Sequence, residues 1–77
     1  MNVKAEIRRI VSDQALTDLE KVERLRALIP ASVRNYPLAR LSSLPPELVP
    51  AFEDSLEVMS ACHRITEKAI ADKIAEN

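Results

Sequence analysis

The chain contains no glycine, and all five of its prolines lie between Pro30 and Pro50. Without glycine it cannot form a Gly-rich phosphate loop or a nucleophile elbow, and tight primed hairpin turns are disfavoured. Proline interrupts helices, so long helices fit on either side of this stretch but not across it. The sequence therefore predicts a single all-α domain over residues 1–77, with a Pro-rich connection at 30–48.

Two short helices are predicted before the prolines. Apolar residues recur at helical spacing over 3–11, which predicts an amphipathic helix there. The next helix is predicted over 17–29, because Thr17 and Glu20 have the spacing of a capping box. Pro30 ends it, since the residue before a proline is pushed out of the α region.

The Pro-rich connection is predicted to fold against the helices. A turn of helix fits at 32–36, with Ser32 as its N-cap. The leucines of this segment are too frequent for a solvated linker, so we expect them to point inward: Leu38, Leu41, Leu44 and Leu48.

One long helix is predicted over 49–75, preceded by an irregular turn because Pro50 lacks a donor. Its apolar residues form a stripe at Phe52, Leu56, Met59, Ile70 and Ile74, widened by Val58, Cys62, Ile65 and Ala69. An apolar face this wide indicates burial against two helices or against a second copy of the chain. The overall expectation is a small helical bundle of three helices.

Charge is distributed unevenly along the chain. Its net charge is -1, but residues 1–40 carry +3 and residues 41–77 carry -4. Glu53, Asp54 and Glu57 lie together near the start of the last helix. Acidic side chains near the start of a helix interact favourably with the helix dipole. They also predict a docking patch for a partner protein with a basic surface. We call these three residues the acidic patch.

The residues that most often carry chemistry are scarce. One cysteine and one histidine exclude an internal disulfide, a Cys-based zinc site and a multi-His site. Cys62 and His63 are neighbours, but adjacent helical residues point about 100° apart and do not face each other. We therefore expect no catalytic residue, no cofactor and no metal. The wide stripe predicts a homodimer or a tight hetero-complex, with contacts that include Met59, Cys62, His63 and Thr66.

These observations favour a small non-catalytic protein–protein interaction module, an adaptor, inhibitor or regulator of a larger complex. Such small helical proteins are common among phage- and plasmid-encoded inhibitors of host complexes. The alternatives are a nucleic-acid-associated regulator, which the six arginines of residues 1–40 allow but do not favour, and a structural subunit of a larger assembly. No segment has the apolar length of a membrane span, and charges interrupt the N-terminal apolar run, so a cytoplasmic protein is expected.

Overall fold

The computed structural model describes residues 2–76, and every regular element among them is helical. The predicted all-α fold is confirmed. The α-helices are α1 (Val3–Val11), α2 (Asp18–Arg26), α3 (Ala31–Arg34) and α4 (Val49–Ala75). Two short 3₁₀ helices, Leu38–Ser43 and Pro46–Leu48, lie between α3 and α4.

Helix α1 begins and ends at polar side chains. The Asn2 side-chain oxygen accepts a hydrogen bond from the backbone N–H of Ala5 at 3.2 Å. At the other end, the Ser12 hydroxyl donates to the carbonyl of Arg8 at 2.7 Å. Between them, Ile7 and Ile10 face the core, as the helical spacing predicts.

Helix α2 begins with the predicted capping box. The Thr17 hydroxyl accepts the N–H of Glu20 at 3.2 Å, and the Glu20 carboxylate accepts the N–H of Thr17 at 3.1 Å. The backbone N–H of Thr17, and after it the Thr17 side chain, hold the pKa of Glu20 below its ordinary value, because hydrogen bonds to the carboxylate favour its charged form.

The predicted end of α2, at residue 29, is wrong. The helix ends at Arg26. Leu28 and Ile29 follow in tight turns, in which the backbone N–H of each residue donates to the carbonyl three residues before it. Tightening of this kind is common in the last turn of a helix. Both side chains nevertheless pack against the core.

The Pro-rich connection departs from expectation at two points. The helical turn forms as α3, but its N-cap is Pro30 and no side chain caps it, so Ser32 has no capping role. Leu44 and Leu48 are half-buried, whereas Leu38 and Leu41 are exposed. Leu38 and Leu41 lie three residues apart in a 3₁₀ helix, which has three residues per turn, so they share one face. That face is turned to solvent.

Helix α4 begins at Val49, after the irregular turn Pro46–Leu48, as predicted. It packs against α2 and α1 and buries Ser55, Val58 and Ala61. The core that results is small: Ile7, Ile10, Leu25, Val58 and Ala61.

The molecule is elongated because α4 is far longer than its partners. At 1.5 Å per residue, α4 is about 40 Å long, whereas α1 and α2 are each about 14 Å long. The principal dimensions are 46 × 27 × 14 Å. Because α1 and α2 are so much shorter than α4, they leave much of its surface uncovered.

Candidate functional site

The acidic patch lies on the exposed side of α4, but its three residues differ in their surroundings. Glu53 and Asp54 face solvent near the start of the helix. Glu57 lines a shallow groove toward α1 with three basic side chains, Lys4, Arg8 and Arg64. Glu57 therefore has cations of its own chain as neighbours along this groove, whereas Glu53 and Asp54 are exposed residues that do not line it.

The four residues predicted for self-association do not all share one surface. Met59, His63 and Thr66 are exposed on the same side of α4. Cys62 instead lies partly buried and packs against the core. A direct role for Cys62 in a contact with another molecule is thus a poor fit to the fold, whereas the other three are placed to make one.

The two polar side chains of this group, His63 and Thr66, have their polar partners within α4. The His63 imidazole Nε2 lies 2.9 Å from a carboxylate oxygen of Glu67, one turn along the helix. The Thr66 hydroxyl donates to the carbonyl of Cys62 at 2.9 Å. Both pairs are on the surface, so they orient the side chains without a large contribution to stability.

The Cys62 thiol is in the wrong environment for a nucleophile. Burial raises its pKa above the ordinary value, an effect that outweighs the opposing charge of Arg26. A reactive cysteine needs the reverse, since the thiolate is the attacking species. Among residues 2–76, no group of three or more His, Cys, Asp or Glu side chains could hold a metal ion.

Four large apolar side chains of α4 are exposed along one side of the helix. They are Leu56, Met59, Ile70 and Ile74, each at least 49% exposed. We call these four residues the apolar strip. The face of α4 that packs on α1 and α2 is centred on Val58 and not on these four residues. These two helices therefore do not bury the strip, and its burial against a second copy of the chain stays a prediction.

A groove between α2 and the second half of α4 adjoins the apolar strip. Its volume is about 440 Å³, and its walls are mostly apolar: Leu19, Val22, Ile65, Ala69 and Ile70. Asp18, Thr66 and Lys73 also line it. We call this the α2–α4 groove.

The α2–α4 groove was not predicted from the sequence, because helical spacing does not show which apolar residues of α2 another helix covers. Helical spacing puts Leu19 on the apolar side of α2 with Val22 and Leu25. In the structure Leu25 is fully buried, while Leu19, one and a half turns earlier, is 69% exposed. The spacing of Leu19 and Val22, one turn apart at the start of α2, was the available signal for this wall.

No protein-family model, curated protein or solved structure matches this chain. None of the helices within residues 2–76 combines the length and apolar character needed to cross a bilayer. The properties of the site therefore rest on its own geometry. It offers an uncovered apolar strip, an apolar groove beside it and a charged patch at one end of α4.

Proposed function

We propose that this protein is a small non-catalytic interaction module that binds another protein chain through the apolar strip and the α2–α4 groove. In this role it acts as an adaptor, inhibitor or regulator of a larger complex. The observation that carries the proposal is the contiguity of the strip and the groove, which share Ile70. Large exposed apolar patches on small domains mark surfaces that bind other molecules.

The chemistry of the surface favours a protein over a nucleic acid. A nucleic-acid surface needs clustered cations, whereas the strip and groove present apolar side chains. Two cations of the first half are also engaged within the chain. Arg9 pairs with Glu6, and the Arg34 guanidinium donates to the carbonyl of Arg26.

The proposal is tested in living cells with a photocrosslinking amino acid at position 59 in the apolar strip. The matched control places it at Lys68, an exposed residue of the same helix that lies away from the strip. We expect a discrete protein adduct from position 59 and none from position 68. Adducts that disappear with nuclease instead of protease would support the nucleic-acid alternative, and no adduct from position 59 would overturn the proposal.

Solubility of the chain without its partner separates the two protein roles. A chain that is insoluble when expressed alone, and that gives one adduct of fixed mass from position 59, identifies a structural subunit. A chain that is soluble when expressed alone, and that gives the same adduct in cells, identifies an adaptor, inhibitor or regulator.

A further inference from the structure

We propose that the surface described above is the interface of a symmetric homodimer in which the α4 helices of two copies pack antiparallel. Each α4 would lie against the α4 and α2 of the other copy, over the α2–α4 groove. This inference rests on the proposed function and specifies its partner, a second copy of the same chain.

The first argument is the spacing of the residues along the uncovered side of α4. They recur at intervals of three, four, three, four and three residues: Leu56, Met59, His63, Thr66, Ile70 and Lys73. We call these six residues the seam. Intervals that alternate between three and four residues are those of the contact positions in coiled coils. The seam is distinct from the buried face of α4, which carries Ser55, Val58 and Ala61.

The second argument is the symmetry of that spacing. The intervals read the same in both directions, so an antiparallel copy matches the seam about a two-fold axis between residues 64 and 65. Met59 then faces Ile70 of the second copy, and His63 faces Thr66 of the second copy. The polar centre sets the register, as single polar residues do in coiled-coil seams, and apolar contacts flank it on both sides.

Charge favours the antiparallel direction over the parallel one. The first half of α4 holds the acidic patch and no cation. The second half holds three cations, Arg64, Lys68 and Lys73, against two acids, Glu67 and Asp72. An antiparallel pair sets the acidic patch beside the half of α4 that carries the cations, whereas a parallel pair would set acidic patch against acidic patch and Lys73 against Lys73.

The third argument is surface area. A folded monomer of this mass exposes about 4,700 Å². This chain exposes 5961 Å². The excess is about 1,300 Å². Each partner in a stable complex buries about 800 Å². A second copy seated on the seam and the groove would remove an excess of this size, and Leu19 would be covered with it.

The direction of packing is tested by disulfide trapping of the full chain with Cys62→Ser as background. Met59→Cys with Ile70→Cys should give an interchain disulfide under mild oxidation, because these positions face each other only in the antiparallel dimer. The two positions lie eleven residues, or about 16 Å, apart on one helix, too far for a bond within the chain. Each single variant should stay uncrosslinked, and Lys68→Cys serves as the exposed control.

Solution mass gives the second readout. Sedimentation of the unmodified chain should give twice the 8.6 kDa of one copy. Ile70→Glu should raise the dissociation constant by about 30-fold or more, as expected for a central apolar contact. Ala71→Glu adds the same charge to the next, exposed residue outside the seam and should leave association unchanged.

A monomer at the highest soluble concentration would overturn the homodimer, and crosslinking of the single Met59→Cys variant would overturn the antiparallel geometry. The proposed function fails separately. If position 59 crosslinks in cells to a different protein while the purified chain is monomeric, the interaction module stands and the homodimer does not. If position 59 yields no protein adduct, both fail.

Discussion

Tyr36 and Phe52 pack edge to face, with ring centroids 5.6 Å apart and planes at 86°. They are the only tyrosine and phenylalanine in the chain, and it has no tryptophan. The contact joins the Pro-rich connection to the second turn of α4. Leu56, the first residue of the apolar strip, follows Phe52 along α4 by about one helical turn.

The aromatic contact should stabilise the connection measurably. Tyr36→Ala is expected to lower the free energy of unfolding, with a coupling to Phe52→Ala of about 0.5–1.5 kcal/mol in a double-mutant cycle. Tyr36→Phe is the control, because it keeps the ring and removes only the hydroxyl, which donates to the carbonyl of Arg40 at 3.2 Å. Additive effects of the two alanine variants in urea unfolding would show that the rings do not stabilise each other.

Leu25 should be the most sensitive apolar position. It is fully buried, at 0% exposure, in a core of few side chains. Leu25→Ala should cost about 2–5 kcal/mol, since it leaves a cavity that the short helices cannot easily close. Leu38→Ala removes the same atoms from a residue that is 82% exposed. It should change the unfolding free energy by less than about 0.5 kcal/mol. Equal losses in the two variants would contradict the assigned core.

The capping box should make α2 sensitive to acid. Hydrogen bonds from Thr17 lower the pKa of Glu20 in the folded chain, so the charged form stabilises the fold at neutral pH. This contribution is present above the ordinary glutamate pKa of about 4.3 and is lost as pH falls through the lower folded value. Glu20→Gln can still accept from Thr17 but does not titrate, so its stability should fall less steeply from pH 5 to pH 2, measured by urea unfolding. Parallel pH profiles would contradict the role of Glu20.

The acidic patch should control the rate of encounter with a basic partner if it is a docking surface. The combined change Glu53→Gln, Asp54→Gln and Glu57→Gln should preserve the helical circular dichroism and cost on the order of 1 kcal/mol. Association with a partner protein that has a basic surface should slow and lose its salt dependence, because charges at an interface edge act mainly on the association rate.

A comparison of two variants separates a role in docking from the interaction of Glu57 with the cations of α1. Glu57→Gln alone removes the charge that faces Lys4 and Arg8, so it should affect stability more than association. The double variant Glu53→Gln with Asp54→Gln should affect association more than stability. Association rates that stay unchanged across a salt titration in every variant would leave the three acids as ordinary residues of a helix start.

Local features of this fold could be predicted from the sequence because they depend on neighbours along the chain. Thr17 and Glu20 are three residues apart, and their reciprocal hydrogen bonds need no other part of the protein. The start of α4 at Val49 follows from the missing donor of Pro50 and the prolines before it. Absence of glycine and the confinement of proline to one segment already pointed to an all-α chain.

The extent of burial was decided only by the tertiary structure. Helical spacing shows that Val58 and Met59 both belong to the apolar side of α4, but not which of them another helix covers. The short α1 and α2 pack on the side of Val58, which is 1% exposed, and leave Met59 at 49%. Periodicity is a property of one helix, whereas coverage depends on the lengths and positions of its neighbours. For that reason the sequence alone determined the helices, and their packing decided which apolar surface remains open to a partner.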